Sequence, residues 1–182
     1  MEFLAFYLPD KDLTPFLDKF QEQRISKGRH LLKPGQDCNY LAFIQEGCFR
    51  VYYYDLNDKE IITWFSFSEM VITDLFGFYT TGTARFYVQA LEDSILYKVG
   101  KGDLENLYQR YPTYQQFGRK FAEEALATLM HRTMALHTKS AEERYKELLA
   151  SPQFMQKIPL KYLASFLGVT DTSLSRIRKH IR

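Results

Sequence analysis

The 182-residue chain is long enough to bury a sizeable core, as one large domain or two smaller ones, and its 16% aromatic content excludes a disordered polymer. The formal net charge of +2 is unevenly spread: from Lys157 to Arg182 six basic residues stand against one acid, Asp171, so the tail carries +5 and the rest −3. The two cysteines, Cys38 and Cys48, have neither CxxC spacing nor histidine companions, which argues against a zinc site, an iron-sulfur cluster and a disulfide scaffold and leaves reduced thiols.

In chain order, Met1 to Asp10 lacks a basic leader region, and no apolar run approaches membrane-span length, so a cytoplasmic chain without a membrane partner is expected. Leu13, Phe16, Leu17 and Phe20 fall at helical spacing and predict an amphipathic helix from Leu13 to Gln23. From Ile25 to Val99 short β-branched and aromatic runs alternate with turn formers such as Pro34-Gly35, Glu46-Gly47 and Asn57-Asp58. Strands are predicted at Tyr40–Ile44, Phe49–Tyr54, Ile61–Phe65, Arg85–Ala90 and Ser94–Val99, with hairpin spacing that suggests a barrel or jelly roll. Leu104, Leu107, Tyr108 and Tyr111 then form a helical stripe closed by Pro112, and a long helix follows from Thr113 to His137. Its seam, Phe117, Phe121, Ala125, Leu129, Met130 and Leu136, calls for a partner, and a second copy of the same helix is favoured over the β-module. Ser140 and Glu143 have capping-box spacing and open a further helix that ends near Pro152.

Residues Leu160 to Lys179 carry the functional argument. Leu163, Leu167, Val169, Leu174 and Ile177 fit the buried faces of two short crossing helices, and Ala164 is small where the second helix passes. Gly168 supplies the positive φ of a C-cap, and Thr170 can cap the next helix. These are the requirements of a helix-turn-helix. On the second helix Asp171, Thr172, Ser173 and Arg176, with Thr170 at its start, are the candidates for base reading: arginine can grip guanine bidentately and aspartate can accept from cytosine. Lys161, Arg178, Lys179 and Arg182 suit phosphate contacts, which set affinity without choosing sequence.

With these motifs in place, the chain resembles a regulator of the Crp/Fnr (catabolite activator) superfamily, of the short form common in Bacteroidetes. The resemblance is carried by Gly35–Tyr54 (GQDCNYLAFIQEGCFRVYYY), Phe67-Ser68-Glu69, Ala90-Leu91-Glu92-Asp93, Ala141–Tyr145 and Ile158–Arg178, and so covers nearly the whole length. It implies an α+β chain: a cyclic-nucleotide-binding-like β-roll sensor at 1–112, a central dimerisation helix at 113–137 and a helix-turn-helix DNA-binding domain at 138–182. It also implies a homodimer on a palindromic DNA duplex, RNA polymerase as a partner, and a reader whose pose depends on an effector. Because the sequence stops at Arg182, the expected wing is reduced and limited to Gln156–Pro159.

The cassette departs from the family pattern. Ser68-Glu69 is taken as its start, with Glu69 at the ribose-hydroxyl position, while Ala84 falls where the phosphate-binding arginine belongs and Arg85 one place on, a step that reverses the facing of a strand residue. Leu129 and Met130 stand where the family keeps a polar pair for the base. These departures argue against cyclic AMP, because a buried phosphate needs a cationic partner. Phe67, Glu69, Met70, Arg85, Tyr87, Leu129 and Met130 are the candidate effector-pocket residues; an apolar effector or an empty, vestigial roll both remain open. No metal is expected, since His30, His131, His137 and His180 are scattered. An enzyme is not expected either, for lack of an HxH pair, a G-x-S-x-G turn or a P-loop. The competing reading is a ligand-sensing or protein-interaction module without sequence-specific DNA binding.

Overall fold

The computed structural model describes residues 14–181. The expectations placed on Met1–Asp10, Leu13 and Arg182, and on the side chain of Phe16, lie outside the described residues. The described residues divide into two compact units, 14–51 with 65–124 and 52–64 with 125–181.

The first unit opens with a single helical turn, α1 (Thr14–Leu17), and a strand, β1 (Gln21–Ile25). The helix predicted from Leu13 to Gln23 therefore stops at Leu17. Phe20 donates its N–H to Leu17 O at 3.0 Å and turns its ring edge-on to Phe43, 5.0 Å between centroids. The polar run that follows has little apolar surface to bury as a helix. As an edge strand it pairs along its whole length with β8 (Ser94–Gly100), from Gln21↔Lys98 to Ile25↔Ser94.

The remaining strands are β2 (His30–Leu32), β3 (Tyr40–Glu46), β4 (Cys48–Tyr54), β5 (Glu60–Phe67), β6 (Val71–Ile72) and β7 (Tyr87–Ala90). They form two four-stranded sheets, ordered β1-β8-β3-β6 and β2-β7-β4-β5. Leu32, Leu41, Ile44, Phe49, Phe65, Ile72 and Leu96 are fully buried and make the core. Gly47 joins β3 to β4 at φ 138°, where a Cβ would lie 2.5 Å from that of Ser94, so the hairpin needs glycine on two counts. Arg85 and Phe86, predicted as strand, precede β7; their N–H groups are committed to a side chain described below.

Helix α2 (Lys101–Arg110) buries Leu104 and Leu107. Helix α3 (Pro112–Thr138) follows after Tyr111. Its first turns bury Tyr114 and Phe117, the latter 5.9 Å from the Phe43 ring. A Cβ on Gly118 would meet Tyr108 Oη at 2.7 Å, which explains the one glycine in this helix.

The second unit holds the tip of the β4–β5 hairpin, the rest of α3, and four short helices: α4 (Ala141–Leu149), α5 (Pro152–Lys157), α6 (Leu160–Leu167) and α7 (Asp171–Ile181). Ser140 and Glu143 form the reciprocal capping box at the start of α4. The wing expected at Gln156–Pro159 is corrected: Gln156 and Lys157 are the end of α5, whose start is set by Pro152 at its first turn. Among the described residues no helix is long and apolar enough to cross a membrane, and no group of three or more His, Cys, Asp or Glu could hold a metal ion.

Candidate nucleic-acid interface and effector cassette

The reader is built by its caps. Gly168 adopts φ 71° and ψ 31°, its N–H bonds Ser165 O at 3.0 Å, and that of Val169 bonds Ala164 O at 3.0 Å. This Schellman pair stops α6 and reverses the chain. Thr170 then accepts from Ser173 N at 3.2 Å, starting α7, while Asp171 in the first turn complements the positive end of the helix. Leu163, Ala164, Leu167 and Leu174 are buried, and Ile177 and Ile181 continue the inner edge of α7 at helical spacing.

That burial decides what faces outward. Thr172, Arg176 and Lys179, at offsets of four and three, share one exposed face, with Asp171 exposed at its N-terminal end. Thr170 is exposed and ties together Thr172 Oγ1 at 3.0 Å and Ser173 Oγ at 2.9 Å. Arg178 and Ser173 are half-buried. Lys161 is exposed on α6, with its ammonium 5.0 Å from the Tyr162 ring. His180 is exposed four residues after Arg176 on the same face; the sequence reading gave it no role, although the spacing was there to use.

In the β-roll the cassette region is organised by a residue that the sequence reading missed. Asp74 is 1% exposed, and its carboxylate accepts from Gly77 N at 3.1 Å, Arg85 N at 2.5 Å and Phe86 N at 3.1 Å. Between these points the chain makes a π-helical turn, Gly77–Thr81, ended by Gly82 at φ 71°. A Cβ on Gly77 would lie 2.6 Å from Thr83 O, so the loop closes tightly on itself. The preceding residue is fixed too: Thr73 donates to Tyr40 O at 3.0 Å, and Cys38 Sγ donates to Asp74 O at 3.3 Å. Burial pushes the Cys38 thiol up from its ordinary value, with a smaller contribution from the Asp74 charge.

The other cassette candidates are spread out. Ala84 is buried, whereas Arg85 is exposed with its guanidinium 4.4 Å over the Phe76 ring. Glu69 is exposed in a turn at φ 69°, with its N–H on Ile44 O at 2.7 Å. Phe67 and Met70 are brought together, Phe67 N donating to the thioether at 3.4 Å, and Tyr87 sets its ring edge-on to His30 at 5.6 Å. Leu129 and Met130 lie in the second unit on α3 and are 47% and 58% exposed, as are Leu126 and Met134 at 60% and 62%.

Comparison with known proteins agrees with this architecture. The cyclic nucleotide-binding domain family matches residues 22–111. The fumarate and nitrate reduction regulatory protein of Salmonella typhi is 27% identical, over 96% of this chain and 74% of its own length; its Klebsiella oxytoca counterpart gives the same figures. Among solved structures, FixK2 from Bradyrhizobium japonicum superposes with a TM-score of 0.79 at 16% identity, covering 89% of this chain and 84% of its own. A mutant of CooA from Carboxydothermus hydrogenoformans gives 0.74 at 23%, covering 98% and 83%. A regulator of the crp/fnr family from Eubacterium rectale gives 0.72 at 17%, covering 97% and 87%. The β-roll, the long helix and the C-terminal helix-turn-helix, together with these relatives, give the chain the architecture of the Crp/Fnr family of transcriptional regulators, which it resembles along nearly its whole length.

Proposed function

We propose that the chain is a cytoplasmic, non-enzymatic homodimer that reads a palindromic operator through α7, with residues 1–112 as sensor, 113–137 as dimerisation helix and 138–182 as reader. The observation that carries this is the exposed face of α7: Thr172, Arg176 and Lys179 project together from a helix whose opposite edge is anchored by fully buried Leu174. Thr170, Asp171, Thr172, Ser173 and Arg176 are assigned to base edges, and Arg178, Lys179 and Lys161 to phosphates. The exposed apolar residues of α3, Leu126, Leu129, Met130 and Met134, support pairing with a second copy, and a twofold protein matches a twofold site. RNA polymerase is the partner that this activity serves.

The β-roll does not take cyclic AMP in this reading. The amides at Gly77, Arg85 and Phe86 are already held by Asp74, and the Arg85 cation is out over Phe76. An effector there is an apolar one, met by Phe67, Met70 and Tyr87. The test is binding to a selected palindromic duplex against random duplex of equal length across a salt series. A specificity ratio of about a thousandfold or more at physiological salt is expected. A ratio near one would instead favour a ligand-sensing or protein-interaction module.

A further inference from the structure

Strand β5 closes its sheet, with β4 as its one neighbour there among the described residues. At the β4–β5 turn the Asp55 N–H donates to Lys59 O at 2.9 Å, so Lys59 and, by alternation, Ile61 face β4, while the backbone groups of Glu60 and Ile62 point away from it. Such an edge presents N–H and C=O groups for a further strand to pair. Here α6 covers it instead. The Ile62 N–H donates to Ser165 Oγ at 3.0 Å, and the same hydroxyl donates to Glu60 O at 3.0 Å. One oxygen thus engages both groups that a neighbouring strand would take. The next outward group is engaged as well: Arg132 Nη2 donates to Ile62 O at 3.4 Å and to Phe166 O at 3.1 Å, with its guanidinium 3.6 Å over the Phe166 ring.

These bonds lie within the second unit, and they act on the reader. A serine inside a helix commonly bonds the carbonyl one turn back. Ser165 gives its hydroxyl to residues 103 and 105 positions earlier. It leaves α6 on the side opposite the one that buries Leu163, Ala164 and Leu167. Helices α6 and α7 pack on each other and are joined through the Gly168 cap, so whatever holds α6 also holds α7. The hold does not cover the base-reading candidates: Thr172, Arg176 and Lys179 are exposed while Ser165 is engaged. The contact is a mount for the reader, not a mask over it.

We propose that Ser165 is a positioning residue for operator reading: through Glu60 and Ile62 it sets the orientation in which α6 carries α7 to the duplex. This rests on the reading of α7 as the operator-binding helix. A twofold site asks each reader to arrive at a fixed angle, about one helical turn from its mate. A reader held beforehand loses less freedom on binding than one that swings on its linker. Non-specific binding asks for no such angle, since phosphate contacts alone carry it. Loss of the hydroxyl therefore lowers operator affinity and spares random duplex.

The full chain is compared with Ser165→Ala and Ser165→Thr on the selected palindromic duplex and on random duplex of equal length. Ser165→Ala should bind the palindrome about tenfold more weakly or worse, and random duplex within about twofold of wild type. Ser165→Thr keeps the hydroxyl and should bind the palindrome within about threefold of wild type. Hydrogen exchange at the Ile62 amide supplies a second measurement that needs no variant: in the wild-type chain it should be no faster with the palindrome bound than without it. Wild-type palindrome affinity in Ser165→Ala, equal losses on the two duplexes, failure of threonine to restore binding, or faster Ile62 exchange on the palindrome would overturn the proposal. A wild-type chain with no preference for the palindrome is a different result: it would sink the reading of α7 itself, and this inference with it.

Discussion

Replacing Asp74 by alanine removes the one group that satisfies three backbone N–H donors at the closure of the cassette. A hydrogen bond to a charged acceptor contributes about 1.5–3 kcal/mol, and an orphaned buried donor carries most of that as a penalty. The three are not equal. The Gly77 bond is buried, whereas those of Arg85 and Phe86 are part-buried, so water can take over some of their share. The net loss should therefore be about 3 kcal/mol rather than the sum of three full bonds, with a fall in Tm of about 6–12 °C for a chain of this size. Asp74→Asn should lose roughly half as much, about 1.5 kcal/mol, because its carbonyl oxygen can still face Arg85 and Phe86. Urea unfolding is followed by far-ultraviolet circular dichroism and, separately, by Trp64 emission, since Trp64 belongs to the other unit. A stability for Asp74→Ala within about 0.5 kcal/mol of the wild type, the range of an ordinary surface change, would refute the reasoning.

Arg176→Ala should weaken operator binding by about 1–3 kcal/mol and relax one base position, whereas Lys179→Ala should weaken operator and random duplex alike and lower the salt slope by about one. Equal losses on both duplexes for Arg176→Ala would contradict the base-reading assignment. Gly168→Ala should cost about 1 kcal/mol in unfolding free energy, because alanine resists the positive φ that ends α6. His30 is held below its ordinary 6.5 by burial first and then by the charges of Lys33, Arg50 and Arg29. Its neutral form is the one that the fold favours, so its contribution is intact above 6.5 and is lost as the pH falls through the lowered folded value. His30→Gln should flatten the decline in stability below that pH; an unchanged profile would rule the histidine out as its source. Saturating cyclic AMP should leave the Tm unmoved, and a rise equivalent to about 2.7 kcal/mol at a hundred times the dissociation constant would restore the nucleotide reading.

The reader was legible because its determinants are local. Gly168, Thr170 and the Ser140–Glu143 box declare themselves through residue type and spacing of three or four, and the structure uses each one as a cap. The N-terminal helix failed for the opposite reason. Phe20 has helical spacing to Phe16 and Leu17, but the decision lies more than seventy residues on, where β8 offers a full register of partners. Asp74 was invisible in the same way: its meaning depends on amides ten and more residues later that fold back onto it. Glu69 drew attention because Ser68-Glu69 imitates a family motif, yet its positive φ commits it to a turn. Ser165 carries no motif at all, and only packing sets it against the edge of β5.

The two thiols offer a use that nothing in their chemistry announces. Neither Cys38 nor Cys48 is in a disulfide, and both are fully inaccessible, one beneath the cassette and the other on the strand after Gly47. A thiol-specific reagent therefore has no target until the β-roll breathes, and the labelling rate becomes a clock for that opening. Cysteine mapping by mass spectrometry would time the two locations separately in unmodified protein. Any compound that slows one clock and leaves the other untouched would reveal where in the roll it is felt.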